Sequence, residues 1–217
     1  MISVPFTALK LMFSRPKVLA LAFFPGALTF VAATLITYGV WQQWLSTSSL
    51  YLSLPAMMVA FLLSWLVVGK LSLLPVEDLL IDECQRGLWG RVLLPGLPFS
   101  PARLGREIGY SLLVGVAGLL IVILSFIPFL TPVSIPVAGW LSAYGFLAPL
   151  YERKQAGSLE GRYALFMEHA ASNLVLGLVL NLLLFVPVVN VFLLGYAQIL
   201  ATLLFLRREN PSGSGTP

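Results

Sequence analysis

The chain has little of what most catalytic and metal-binding sites are made from. Its single cysteine, Cys84, excludes an internal disulfide framework and a site with several thiolate ligands. Its single histidine, His169, excludes a metal site built on paired histidines. Phosphate-binding glycine loops, the serine nucleophile elbow and the zinc-protease motif are also absent. We therefore expect neither an enzyme nor a cofactor, and we expect Cys84 to pack in the interior and His169 to lie on the surface.

Charge is scarce as well. Charged residues make up 10% of the 217 residues, whereas soluble domains carry about 25%. Hydrophobic residues make up 59%, and the mean hydropathy is +0.93. This composition is typical of an all-α integral membrane protein. It has room for one domain, at residues 1–208, and the Ser-, Gly- and Pro-rich residues 209–217 predict a disordered tail.

Two apolar runs in the first third of the chain are long enough to cross a bilayer, which takes about 20 residues. Residues 18–40 carry no charge and exceed the ~7–15 apolar residues of a signal peptide. The second run covers residues 55–74, with Lys70 near its end. Before the first run, the polar residues of segment 2–14 recur every three or four positions. That spacing predicts an amphipathic helix that lies in the membrane interface.

The most charged stretch, residues 74–91, follows the second run. Its pattern predicts a helix that emerges into the cytoplasm with a solvated face, on which Asp82 and Glu83 each pair with Arg86 at helical spacing. The alternative is an acidic ring in an oligomer, which would gate cations rather than anions. Both interpretations concern the same residues, Glu77, Asp78, Asp82, Glu83 and Arg86.

The remainder of the chain contains one pattern twice. Residues 108–127 and 173–186 are apolar runs that close in Ile-Pro or Val-Pro, and further apolar runs follow at 137–150 and 191–206. Each half predicts a helical hairpin with an uncharged, Pro-containing tip. A helix over residues 173–186 would span only ~21 Å of a ~30 Å hydrocarbon core, so we predict two hairpins that penetrate partway. Six full spans are the alternative.

Charge is confined to four segments, which are residues before 18, 70–107, 152–168 and those after 206. The loop at 42–54 and both hairpin tips have none. All 13 Lys and Arg residues therefore fall on one side of the membrane, and the positive-inside rule makes that side cytoplasmic. We expect both termini there, with a short amphipathic helix in the polar link at 152–172.

Two sets of residues are candidates for a solute site. Arg15 and Lys17 precede the first span, where positive charge and a helix N-terminus favour anions. Topology anchoring is the alternative role of these two residues. Polar residues in or between the last two apolar runs are candidates for a membrane pathway, although hydrogen bonds between helices use the same residue types. They are Asn181, Asn190, Gln198 and Thr202.

Five short motifs follow one another along the chain. They are Ser14-x-Pro16, Pro75-x-x-x-Leu79-Leu80-x-Asp82, Ile127-Pro128, Phe185-Val-Pro187-Val-Val-Asn190 and Ala201-Thr202. Together they resemble the CysZ/EI24 family of bacterial sulfate permeases and their eukaryotic relatives, over residues 2–208. The resemblance implies two full transmembrane helices, two partial hairpins, a homo-oligomer and sulfate uptake for cysteine synthesis. Sulfate-transporting members carry a basic pair where this chain has Leu19 and Ala20.

The resulting hypothesis is passive transport of sulfate, or a similar small inorganic anion, across the bacterial inner membrane. The protein would act as a homo-oligomer in contact with lipid and without nucleic acid. The alternative hypothesis is a non-transporting membrane factor, which acts in assembly, lipid handling or partner binding. The missing basic pair favours this alternative, and Arg15 and Lys17 are the nearest substitutes for it.

Overall fold

The computed structural model describes residues 3–45, 50–98, 100–125, 127–154, 158–184 and 187–209, and every regular element in these ranges is helical. The α-helices, in chain order, are α1 (Ser3–Ser14), α2 (Pro16–Val40), α3 (Leu50–Trp89), α4 (Pro101–Ser125), α5 (Thr131–Arg153), α6 (Leu159–Glu168), α7 (Ala170–Leu184) and α8 (Pro187–Glu209). The predicted all-α fold is confirmed, with Cys84 buried and His169 exposed as expected. Residues 210–217 of the predicted tail lie outside the described residues.

Local sequence sets several helix ends. Proline, whose missing N–H is not needed in a first turn, occupies the first position of α2, α4 and α8. The predicted helix of the polar link is α6, and the Ser158 hydroxyl caps it by accepting the N–H of Gly161 at 3.1 Å. After α3, Gly90 adopts φ 69° and donates its N–H to the carbonyl of Arg86 at 3.1 Å. That backbone conformation favours glycine and ends the helix.

Three helices among the described residues are long and apolar enough to cross a bilayer, namely Pro16–Gln43, Ala56–Trp89 and Thr131–Arg153. The first two coincide with the predicted spans. A π-helical turn, Trp41–Leu45, extends α2, so the predicted loop at 42–54 is shorter than expected. The 40 residues of α3 are continuous, about 60 Å at ~1.5 Å per residue. The second span and the charged helix are therefore one rod that projects beyond the bilayer core.

Both predicted hairpins form, α4 with α5 and α7 with α8. The second helix of the first hairpin begins at Thr131 rather than at residue 137, because Pro132 lies in a first turn, where helices tolerate proline, and the helix continues through Pro136. The 15 residues of α7 span about 22 Å, and α6 and α7 meet at 91°. Partial penetration of the hairpins stays a prediction.

Small residues let α8 approach α2 closely. Gly195 packs on Ala22 so tightly that a Cβ on the glycine would overlap the backbone of the neighbouring helix. The hydroxyls of Thr29 and Ser72 form a buried 2.8 Å hydrogen bond between α2 and α3. Close backbone approach and hydrogen bonds between helices are the usual means of association in lipid.

The predicted helix at residues 2–14 is α1, and it packs along α8. Its buried face comprises Val4, Ala8, Leu11 and Met12. The hydroxyl of Tyr196 on α8 donates to the carbonyl of Pro5 at 3.4 Å. Its exposed face carries the large apolar residues Phe6, Leu9 and Phe13. An exposed apolar face suits the predicted position in the membrane interface, which stays a prediction.

Candidate functional site

Ion pairs join charged segments that lie far apart in the sequence. The pairs Lys17–Glu83, Asp78–Arg153 and Lys154–Glu209 have N–O distances of 2.5, 2.7 and 2.7 Å. Together they bring all four charged segments to the same end of the helices. The predicted segregation of charge is confirmed, and the cytoplasmic location of that end stays a prediction.

The chain turns between α1 and α2 at Arg15, and we call residues 14–17 the elbow. Arg15 is extended (φ −126°, ψ 108°), because Pro16 disfavours helical conformation in the residue before it. The exposed Arg15 side chain lies beside Gly87 of α3, where a Cβ would sit 3.5 Å from Nε of Arg15. Nζ of Lys17 donates to Oε1 of Glu83 at 2.5 Å. The elbow is therefore held against α3.

Positive charge exceeds negative charge at the elbow. Glu83 also accepts a hydrogen bond from Arg86 at 3.0 Å, as their spacing predicted. Two cations, Lys17 and Arg86, thus pair with one carboxylate, and a third, Arg15, lies beside Gly87 of the same helix. The Lys17 side chain is 65% exposed. The first N–H groups of α2 add positive partial charge, since a helix gives them no partner. The two residues predicted to attract an anion are brought together, and Arg86 joins them.

The prediction of a solvated charged face on α3 is wrong. Glu77 and Glu83 are buried, and Asp78 and Asp82 pair with Arg153 of α5 at 2.7 and 2.6 Å. Asp82 pairs with Arg153 rather than with the predicted Arg86. Helical spacing identifies only neighbours on the same helix, and α5 packs against this face of α3. The alternative interpretation, an acidic ring between subunits, also loses support, because Arg153 balances the charges of Asp78 and Asp82 within the chain.

Charged residues of α3, α4, α5 and α6 form one network, which we call the ionic cluster, comprising Asp78, Asp82, Arg103, Arg106, Glu107, Glu152, Arg153 and Arg162. Glu152 joins three of its arginines, Arg103 and Arg162 at 3.0 Å and Arg106 at 3.4 Å. Four carboxylates meet four guanidinium groups, so the formal charge of the cluster is zero.

The side chains at the centre of the ionic cluster are buried from solvent. The side chain of Arg153 is 0% exposed, and those of Glu152 and Arg162 are almost as deeply buried. Buried charges are stable only where partners compensate them, so each member depends on the others. A cluster of zero formal charge has no surplus positive charge with which to hold an anion. The ion pairs of the cluster join α3, α4, α5 and α6.

Gln85, which the sequence did not single out, holds the connection between α3 and α4. Its side chain is fully buried, and Oε1 accepts the N–H groups of Leu93 and Leu94, each at 2.7 Å. Its Nε2 donates to the carbonyl of Leu94 at 3.0 Å, and Arg153 donates to the same carbonyl at 2.8 Å. A segment without secondary structure thus satisfies its backbone through side chains and is docked on the ionic cluster.

We expect Gln85→Ala to lower the free energy of unfolding by about 1–3 kcal/mol, because two partly buried N–H groups lose their acceptor. The midpoint of thermal unfolding in detergent measures this loss, and faster tryptic cleavage at the exposed Arg91 reports the undocked connection. Gln43→Ala, which changes an exposed glutamine on the turn after α2, is the matched control. Equal midpoints and cleavage rates in both variants would contradict a docking role for Gln85.

The four predicted pathway residues have different surroundings. Oδ1 of Asn181 accepts a hydrogen bond from the hydroxyl of Ser142 at 2.9 Å, which joins α7 to α5. Thr202 donates its hydroxyl to the backbone carbonyl of Gln198 at 2.7 Å. The Gln198 amide is fully buried and has no hydrogen-bond partner in the described part of the chain. The side chain of Asn190 lies outside that part.

A cavity of about 400 Å³ opens between α3, α4 and α5, next to the ionic cluster. Part of its wall is apolar, and part is charged. The charged part comprises Glu77, Asp78, Arg103, Glu107 and Glu152. Four carboxylates and one guanidinium group therefore line this cavity, and three of the carboxylates are paired with arginines of the ionic cluster.

The sequence matches the protein-family model described as Sulfate transporter CysZ/Etoposide-induced protein 2.4 over residues 4–194. No curated protein matches the chain. The matched residues include the elbow, the ionic cluster and the start of α8, and they confirm the family resemblance. Four of the five motifs lie within the match, and Ala201-Thr202 lies beyond it. Because the match covers most of the chain, the chain belongs to the family of membrane proteins that is named after the sulfate transporter CysZ and etoposide-induced protein 2.4.

Proposed function

We propose that the protein conducts sulfate, or a similar small inorganic anion, passively across the bacterial inner membrane. It acts as a homo-oligomer with both termini in the cytoplasm. The family description names a sulfate transporter, which supports the class of solute. The observation on which the proposal depends belongs to this chain, since Lys17 and Arg86 pair with the single carboxylate of Glu83 at the start of the first span, and Arg15 adds a third positive charge beside Gly87.

A divalent oxyanion is attracted to positive charge and to hydrogen-bond donors that water can reach. Arg15, Lys17 and Arg86 supply such donors at the elbow, and Glu83 opposes them with a single charge. The N-terminus of α2 also favours an anion, because its first N–H groups carry positive partial charge. The elbow therefore raises the local concentration of anions at the charged end of α2.

The first test is uptake of radiolabelled sulfate into proteoliposomes. We expect saturable uptake by the wild-type protein above that of empty vesicles, and a loss of roughly tenfold or more in Arg15→Ala/Lys17→Ala, because the double variant removes the surplus charge of the elbow. The control, Arg91→Ala/Lys154→Ala, removes two cations from the same end of the molecule but outside the elbow.

Two results would contradict the proposal. Wild-type uptake no greater than that of empty vesicles would exclude sulfate as the solute. An equal loss in the control variant would show that overall charge, rather than the elbow, controls the flux. Purified protein of each variant must elute at the wild-type position in size-exclusion chromatography, so that a lost oligomer is not mistaken for a lost site.

A second candidate function is that of a non-transporting membrane factor. The ionic cluster favours it, because this network lines part of the cavity and carries no surplus positive charge that would hold an anion. Purification from native membranes discriminates the two functions. A stoichiometric partner together with absent flux would support the second function, and flux through the purified protein alone would exclude it.

A further inference from the structure

At the elbow, two cations share one oxygen atom. Nζ of Lys17 and a terminal nitrogen of Arg86 lie 2.5 and 3.0 Å from Oε1 of Glu83. The two nitrogens are therefore close enough for one tetrahedral oxyanion to contact both. The Glu83 side chain is 12% exposed, whereas both cations are more than half exposed. The carboxylate thus lies beneath two cations that face solvent.

The pairing with Glu83 leaves donors of both cations available. An ammonium group and a guanidinium group each have several N–H donors. In the part of the chain that the structure describes, the side chains of Lys17 and Arg86 each donate one hydrogen bond, and both go to Glu83. An anion that arrives from water can bind the remaining donors while the carboxylate stays in place behind them.

The carboxylate affects such an anion in two opposite ways. It holds two like charges side by side, which prepares them for a single anion. It also repels that anion, because a unit charge about 6 Å from a divalent anion in water weakens binding about tenfold. A site in a conducting pathway benefits from this repulsion, since it must bind strongly enough for an ion to enter and weakly enough for the ion to leave.

We propose that Glu83 sets the affinity of the elbow for its anion and allows the anion to be released quickly. The inference rests on the proposed function, because it concerns the anion that is conducted there. Glu83 is a positioning residue, which acts on the anion through Lys17 and Arg86 and through its own charge. Without that charge, the anion binds more tightly and dissociates more slowly.

The test measures binding and release separately in the full-length protein. Binding of radiolabelled sulfate to the purified protein in detergent gives Kd, and uptake into proteoliposomes gives KM and the maximal rate. Glu83→Gln keeps an oxygen that accepts both hydrogen bonds but removes the charge. We expect Kd and KM to fall about tenfold in this variant. The maximal rate should fall as well, because release of the anion becomes limiting.

Two further variants serve as controls. Glu209→Gln removes a carboxylate that pairs with Lys154 at the same end of the molecule, outside the elbow. It should keep the wild-type Kd and maximal rate. Glu83→Asp keeps the charge beside the cations, so its Kd should stay close to that of the wild type. All variants must elute at the wild-type position in size-exclusion chromatography.

Three results would overturn the inference. An unchanged or higher Kd in Glu83→Gln would show that the carboxylate only holds the cations in place. A lower Kd with an unchanged maximal rate would show that release from the elbow does not limit the flux. An equal fall of Kd in Glu209→Gln would assign the effect to the net charge of the molecule. Absent uptake by the wild type contradicts the proposed function instead, and the Kd values still decide whether Glu83 sets the affinity of the elbow.

Discussion

Gly177→Ala is expected to destabilise the protein far more than a single methyl group normally would. Gly177 of α7 lies against Gly139 of α5, and a Cβ on Gly177 would overlap the carbonyl group of Gly139. A Cβ on Gly139 would in turn lie 3.1 Å from the backbone nitrogen of Leu178. The obstruction is backbone rather than a flexible side chain, so the two helices must move apart to accommodate it.

Separation of α5 and α7 would also stretch the hydrogen bond between Ser142 and Asn181. These residues lie about one turn from the crossing point on each helix, and their oxygen atoms are 2.9 Å apart. Overpacking typically costs about 1–3 kcal/mol, and a weakened hydrogen bond adds about 0.5–1.5 kcal/mol. The helix propensity of alanine returns up to ~1 kcal/mol. We therefore expect a net loss of about 1–3 kcal/mol.

The midpoint of thermal unfolding, followed by size-exclusion chromatography of heated samples, measures the loss. Gly109→Ala in α4 is the matched control, because a Cβ at that position meets nothing within 4 Å. This control should unfold at the wild-type midpoint or above it, since alanine favours a helix. If both variants unfolded at the same temperature, the crossing of α5 and α7 at Gly139 and Gly177 would be contradicted.

The sequence predicted the features that lipid itself imposes. Backbone groups inside a bilayer must be satisfied within helices, so a long apolar run such as residues 18–40 predicts a helix and little else. The confinement of charge to four segments predicted that they meet at one end, and the pairs Lys17–Glu83, Asp78–Arg153 and Lys154–Glu209 show that they do. The two hairpins followed from their repeated pattern in the same way.

Helix bounds and long-range pairs depended on packing and were harder to predict. Prolines near residue 131 were placed in the tip of the first hairpin, although a first helical turn tolerates proline. Local spacing found the Glu83–Arg86 pair but assigned the same partner to Asp82, which instead contacts Arg153. Asp82 and Arg153 are 71 positions apart in the sequence, and no local pattern connects them.

The same limit applies to the candidate sites. Arg15 and Lys17 could be identified because they adjoin a span, and the structure brings them together beside α3. The cavity could not be identified, because its wall takes residues from three helices and one connection. Gln85 carried no signal either, since a glutamine that caps a distant segment looks like any polar residue on a charged helix.

Arg153→Met is expected to have the largest effect on stability of any single substitution in the ionic cluster. The side chain is 0% exposed, and its five N–H donors make five hydrogen bonds, to Asp78, to Asp82 and to the carbonyl of Leu94. Methionine has similar length but no donor or charge. Removing one partner of a buried ion pair typically costs about 3–5 kcal/mol, because the other charge stays uncompensated.

The two aspartates are not affected equally. Asp78 keeps its ion pair with Arg103 at 3.0 Å, and Asp82 loses the partner it has in the ionic cluster. Its side chain is 23% exposed, so water offsets part of the loss, and we expect about 3 kcal/mol in total. Arg153→Lys keeps the charge but not the planar donor geometry, and it should fall between the wild type and the methionine variant.

A second substitution distinguishes an uncompensated charge from simple loss of packing. Asp82→Asn in the Arg153→Met background removes the carboxylate that has lost its partner, so the double variant should unfold at a higher temperature than Arg153→Met alone. Arg91→Met, at an exposed arginine on the same side of the molecule, is the control and should leave the midpoint unchanged. If Asp82→Asn lowered the midpoint further, burial of Arg153 would stabilise the protein through packing, and its charge would not be what joins α3 to α5.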